Sequence, residues 1–312
     1  MERFDKLYDN LKKEDFNDSV QKDLKKFEKI QREKTDEEVK LINYINTITN
    51  ELRNKYDKED RDILPEQIFM VKERDWPEED IDADAITFPY SGFISIKDTK
   101  YIIPNFAKLL HEIMHYKSYL AFQVIKGEGD EDKFLAVYRG GLIVRSRSGR
   151  ERYFSYLEEG ITQDLTKNAL DEALANNEIL KKEYLEFQND IESRTNKARG
   201  NYNASMDAFG SPTPLDENTF YINKDGSYWD TFSYGESMRL IDVLCNKLYA
   251  KNQDKFQSES EIKEIFRRSH FNGDLLELGR LIDKTFGKGT FRKIGEIGDD
   301  KQARKFIKDL SE

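Results

Sequence analysis

The sequence predicts an α+β chain that is predominantly helical, with a small sheet in an N-terminal lobe and a helical C-terminal lobe. Three observations predict it. Apolar residues recur at helical spacing from Phe4 to Leu52 and again from Leu157 onward. Between Gln67 and Lys97 the pattern turns to short β-prone runs separated by acidic turns. A further β-prone stretch then separates two strong helices, and the first of these carries His111-Glu112-Ile113-Met114-His115.

Taken in order, Phe4, Leu7, Tyr8 and Leu11 follow helical spacing, as do Val20, Leu24, Phe27 and Ile30. Such stripes read as core-covering helices, with a docking arm or prosegment as the alternative. Thr35 and Glu38 form a capping-box pattern ahead of Val39, Leu41, Ile42, Ile45, Ile48 and Leu52, which makes a third helix. Residues 1–60 are therefore an expected N-terminal helical segment, and 61–312 a second domain whose two lobes divide at about residue 156. Strands are expected at Gln67 to Lys72, Ala85 to Pro89 and Gly92 to Lys97, the last a candidate sheet edge for an extended peptide. A helix is expected from Asn105 to Ile125, started by Pro104 and Asn105 and stopped by Gly127. Phe134 to Arg145 and Glu151 to Tyr156 read as a hairpin across Arg147-Ser148-Gly149. The remainder reads as helices around a loop near Gly210 to Gly226.

A net charge of −10 argues against a general affinity for nucleic acid, because phosphate binding needs concentrated Lys and Arg. The basic cluster Arg145, Arg147, Arg150 and Arg152 reads as a solvated hairpin face. Cys245 is the single cysteine, so no disulfide forms within the chain. Met1 to Asn10 is charged throughout and no run is long and apolar enough to span a bilayer, so the expected location is the cytoplasm and no membrane partner is expected.

The pentapeptide carries the chemistry. Residues four apart share a helix face, so His111 and His115 can chelate one ion without bending the backbone. Glu112 lies about 100° round the helix, outside the ligand set but within reach of a water on the ion's open side. Embedding in an apolar helix keeps both imidazoles neutral and ready for metal. A catalytic zinc ion (Zn2+) needs a third protein donor and one open position. Downstream comes Tyr156-Leu157-Glu158-Glu159-Gly160-Ile161-Thr162-Gln163 at the start of a helix.

With these two segments the chain resembles the gluzincin metallopeptidases, in which an HExxH helix is followed by a second helix bearing a glutamate ligand. The resemblance covers roughly residues 85 to 170 and implies a zincin-like fold with a hairpin insertion between the HExxH helix and the glutamate helix. It implies zinc held by His111, His115 and Glu159, with Glu158 standing where such enzymes often have Asn and serving as the fallback ligand. Gln163 stands where many members have an Asp that orients a ligand histidine, a role open here to Gln163 or Asp164. The implied activity is zinc-dependent peptide-bond hydrolysis, Glu112 acting as general base on a zinc-activated water. The oxyanion donor is sought among Tyr234, Tyr202, Tyr228 and His270. Tyr234 is selected because it precedes Gly235 and Glu236 at the start of a strong helix, whereas His270 reads as a surface or loop residue. Competing readings are a metal-binding regulatory or scaffold protein on a peptidase-like fold, and a narrow enzyme that processes one partner protein.

Overall fold

Thr35 accepts the amide of Glu38 while the Glu38 carboxylate accepts the amide of Thr35, so the capping box starts α1 (Asp36–Asn54) where the sequence indicates. The computed structural model describes residues 24–78, 83–88, 92–126, 133–202 and 235–310. Within them the chain is α+β, its helices dominating two small four-stranded sheets. The expected helix from Phe4 to Leu11, the start of the second at Val20, and the loop near Gly210 to Gly226 lie outside the described residues. Residues 24–30 are helical, and Phe27 is buried against Trp76, Phe88 and Phe93.

The first sheet contains β1 (Gln31–Arg32), β2 (Ile68–Lys72), β3 (Ala85–Phe88) and β4 (Phe93–Asp98) in the order β1-β2-β4-β3. β4 runs parallel to β2 and antiparallel to β3. It is thus an interior strand, and the expectation that Gly92 to Lys97 forms a free edge is corrected: β3 holds the edge. The cause is burial on both faces. Ile94 and Ile96 join the main core, while Phe93 packs with Phe27, Phe69, Val71 and Trp76 on the other side. Alternation alone reads the same for a half-covered strand.

α2 (Ile102–Lys117) starts before Asn105, with Pro104 inside the first turn, where an amide proton has no helical partner to lose. Asn105 ties this turn to the sheet, its amide donating to Asp98 Oδ1 at 2.6 Å and its carbonyl accepting the Thr99 amide at 2.9 Å. The helix ends eight residues sooner than the sequence suggests, because Leu120–Lys126 is strand β5. Leu120 and Val124 satisfy both a helical i, i+4 spacing and a strand's period of two, and the β-prone composition of the run decides for the strand.

β5 is followed by β6 (Lys133–Gly140), β7 (Ile143–Arg145) and β8 (Arg152–Tyr153), all antiparallel and in chain order. The run Phe134 to Arg145 is therefore two strands that turn at Gly141, where φ is +56°. The extended run expected to reach Tyr156 stops at Tyr153. Phe154 adopts φ 63°, uncommon for a bulky residue, and α3 (Ser155–Asn176) begins directly after it. The Phe154 amide donates to Gly295 O at 2.8 Å, and its ring packs tilted against Phe291 at 4.5 Å, which holds the turn in place. Arg147, Arg150 and Arg152 of the hairpin are exposed, as a solvated face requires, whereas Arg145 is half-buried with its Nε covered.

The helical lobe adds α4 (Glu178–Tyr202), α5 (Gly235–Lys251), α6 (Glu259–Asn272), α7 (Leu275–Phe286), α8 (Thr290–Gly295) and α9 (Asp300–Asp309). One continuous core joins the lobes: Leu110, Ile113 and Met114 of α2, Leu157, Ile161 and Leu165 of α3, and Leu240, Ile241 and Leu244 of α5 belong to one buried cluster with the α1 face. α3 is buried nearly all round, Thr162, Gln163 and Thr166 included, because α2, α5 and α6 surround it. No described helix is long and apolar enough to cross a membrane.

Candidate metal centre

His111 and His115 project from one face of α2 toward the first turn of α3, and Glu159 meets them there. The two Nε2 atoms are 3.2 Å apart, Glu159 Oε2 lies 3.2 Å from His115 Nε2, and it lies 3.4 Å from His111 Nε2. Zinc with bonds of about 2.0–2.1 Å in a tetrahedron requires ligand atoms about 3.3 Å apart. The three atoms therefore form one face of such a tetrahedron, and the residues fit a four-coordinate ion with one open corner. Among the described residues this is the one group of such side chains close enough to hold a metal. His111 is buried, while His115 and Glu159 are half-buried.

Each imidazole is fixed through its other nitrogen. His111 Nδ1 donates to Gln163 Oε1 at 3.1 Å, and His115 Nδ1 donates to Glu158 Oε1 at 3.3 Å. With those protons committed, both Nε2 lone pairs face the ligand triangle. Of the two candidates for orienting a histidine, Gln163 does so; Asp164 faces away and binds Lys263 at 2.9 Å and Arg267 at 2.7 Å.

Glu158 is buried to 1% exposure and lies outside the triangle of donor atoms. Its carboxylate accepts the Leu142 amide at 2.8 Å and His270 Nδ1 at 3.0 Å besides His115. Burial works to raise its pKa, but His270 and His115 override that and hold the carboxyl at about 2. Burial likewise opposes charge on Glu159, yet the adjacent histidines hold it well below the usual carboxylate range. His115 moves the opposite way: burial lowers it, and Glu159 and Glu158 outweigh burial and raise it well above its ordinary value. Without metal the cluster thus favours a proton on His115, which corrects the expectation that burial in an apolar helix keeps this imidazole neutral. A divalent ion binding there competes with that proton.

Glu112 stands outside the triangle, as its angle on the helix dictates. Its Oε2 accepts Thr87 Oγ1 at 2.6 Å, and the same hydroxyl reaches the Glu112 carbonyl at 3.1 Å. Thr87 sits on β3, so the edge strand holds the carboxylate.

Two glycines allow this crowding. A Cβ at Gly141 would lie 2.3 Å from the Glu158 carboxylate oxygens, and one at Gly160 would lie 2.5 Å from Ser237 O on α5. The Glu159-Gly160 pair is thereby explained: the residue after Glu159 is the point where α3 crosses the α5 backbone.

His270, read from sequence as a surface or loop residue, is instead wholly buried on α6 beneath Glu158. The composition held the signal, since the chain has three histidines and all three lie in this cluster. Thr87 carried no such signal. Tyr234 and Tyr228 lie outside the described residues, as does the side chain of Tyr202. Comparison of the chain with protein-family models, with curated proteins and with solved structures finds no match in any of the three.

Proposed function

We propose that the chain is a zinc-dependent peptide hydrolase of the gluzincin type, with a zincin-like arrangement of edge strand, HExxH helix and glutamate helix. The observation that carries this reading is the triangle of His111, His115 and Glu159 donor atoms at 3.2–3.4 Å with Glu112 beside it. His2Glu with an open fourth position is a catalytic rather than a closed structural ligand set. When bound, zinc supplies Lewis acidity that lowers the pKa of a water to about 7 and polarises a carbonyl.

The protein's own groups do the rest. Glu112 takes the proton of the attacking water and delivers it to the departing amine. Thr87, donating to Glu112 Oε2, leaves the other carboxylate oxygen for that proton. Gln163 and Glu158 keep the two imidazoles in one tautomer, so neither exchanges its Nδ1 proton with the reaction. Among the described residues no strand pairs with the outer edge of β3, and an extended peptide adding there would pass the residue that holds Glu112.

Metal analysis followed by peptide-library digestion tests the reading. The expected result is about one zinc per chain and cleavage that disappears in Glu112→Gln while zinc is retained. Stoichiometric zinc without cleavage by the wild type would favour the regulatory or scaffold reading. Equal cleavage by wild type and Glu112→Gln would remove Glu112 from the mechanism.

A further inference from the structure

A groove of about 710 Å3 opens between β6 and the α7–α8 region, and none of its lining residues belongs to the metal cluster. Four cationic side chains line it, Arg139 from β6, Arg280 and Lys284 from α7, and Lys288, against two carboxylates, Asp274 and Asp283. Both carboxylates are occupied by backbone. Asp274 caps α7 by accepting the Leu276 amide at 3.0 Å, and Asp283 accepts the amides of Gly289 at 3.1 Å and Phe291 at 2.8 Å.

The charges nonetheless meet across the groove, Asp274 acting on Arg139 and Lys288 on Asp283. Among the described residues none of the four forms a salt bridge, whereas Lys263, Arg267, Arg268, Arg292 and Arg304 of the same lobe all do. Arg139 goes further: its Nε and Nη2 atoms are buried without any hydrogen-bond acceptor, its charge resting over the Tyr119 ring at 5.2 Å. Arg280 and Lys284 stand one turn apart on α7, a like-charge spacing that weakens a helix unless something neutralises it. In a chain of net charge −10, four cations against two carboxylates leave this one concavity with an excess of positive charge.

We propose that this groove is a binding site for a small phosphate-bearing anion. Its volume lies within the range of small-molecule sites, about 300–1,000 Å3. Arginine's planar fork matches phosphate oxygens, and lysines add point charges around them. Phe291 supplies an apolar wall for an uncharged part of such a molecule.

Calorimetric titration of the full zinc-loaded chain with tripolyphosphate tests this. The expected result is one saturable site per chain, weakened at least tenfold in the Arg280→Glu/Lys284→Glu variant and several-fold in the milder Arg280→Gln, and unchanged in His111→Ala. Circular dichroism of each variant separates lost binding from lost fold. Absence of saturable binding would overturn the proposal, as would binding lost in His111→Ala but kept in the charge-reversed variant, which would place the anion on the metal. Sulfate binding as tightly as tripolyphosphate would reduce the groove to general charge attraction. Displacement by an oligoglutamate peptide at lower concentration than tripolyphosphate would replace the phosphate class with an acidic polypeptide.

Discussion

Glu158 and Glu159 are consecutive carboxylates that face different groups, and substituting each by Gln tests their proposed division into support and ligand. Glu158 accepts four donors, the Leu142 amide at 2.8 Å, His270 Nδ1 at 3.0 Å, His115 Nδ1 at 3.3 Å and the Thr162 hydroxyl at 3.4 Å. A glutamine has one carbonyl oxygen and an NH2, so at least one of those donors would face another donor. An unmet buried hydrogen-bonding group costs about 1–3 kcal/mol, which sets the expected loss of stability in metal-free Glu158→Gln. Loss of a group that orients a ligand histidine typically lowers metal affinity about 10–100-fold, or about 1.4–2.7 kcal/mol. Glu159→Gln removes the anionic donor itself, and its affinity should fall beyond that range.

Competition against a chromophoric chelator at pH 7 measures both affinities, and urea unfolding of the metal-free proteins measures the stabilities. The expected order of zinc affinity is wild type, then Glu158→Gln, then Glu159→Gln. Zinc binding by Glu158→Gln within twofold of wild type would refute the orienting role. A larger loss in Glu158→Gln than in Glu159→Gln would exchange the two assignments.

Gly160→Ala should destabilise the protein by about 1–3 kcal/mol, because its Cβ meets Ser237 O at 2.5 Å; an unchanged urea midpoint would show that α3 and α5 separate freely. Thr87→Val should leave zinc content intact and slow hydrolysis, since it removes the 2.6 Å donor to Glu112, and kcat with unaltered zinc is the readout. Unchanged kcat would detach Thr87 from the base. Lys117 is buried, with Nζ donating to Asn50 Oδ1 at 2.6 Å and Asn46 O at 3.1 Å, and burial brings its pKa down to about 7. Its folded pKa lies below the ordinary 10.5, so between those values unfolding takes up a proton and the Lys117 contribution to stability rises with pH. The slope is at most about 1.4 kcal/mol per pH unit. Denaturation of wild type and Lys117→Met from pH 7 to 10 should show this slope only in the wild type; parallel profiles would mean that Lys117 stays charged when buried.

Much of the site was legible because its chemistry follows local rules. The i, i+4 spacing places two imidazoles on one face whatever the tertiary structure, and the Thr35–Glu38 capping box announces its helix through local hydrogen bonds. What sequence could not supply was anything decided by distant partners. Leu120 to Lys126 became a strand through pairing with β6, and β4 became interior through β2 and β3 on either side. His270 lies 112 residues from Glu158, and nothing beside Phe271 or Gly273 points to that carboxylate. Thr87 is similarly one of several polar residues on a short strand until the sheet sets it against Glu112.

His115 shows why the first turn of α3 acts as one piece. Glu159 meets its Nε2 at 3.2 Å and Glu158 meets its Nδ1 at 3.3 Å, so two consecutive residues grip both nitrogens of one ring. Neighbours on a helix diverge by about 100°, which lets one carboxylate turn to the open side and the other inward to Leu142 and His270. A displacement of that turn would disturb both carboxylates together. Its position is set independently at two points: Phe154, whose amide bonds to Gly295 O, and Gly160, which lies against the Ser237 carbonyl. His111, held by the neutral carbonyl of Gln163, adds no further carboxylate to a cavity that already contains Glu158 and Glu159. A third buried carboxylate would increase repulsion in the metal-free protein, so an amide orients this ring without deepening the cluster's dependence on a bound cation.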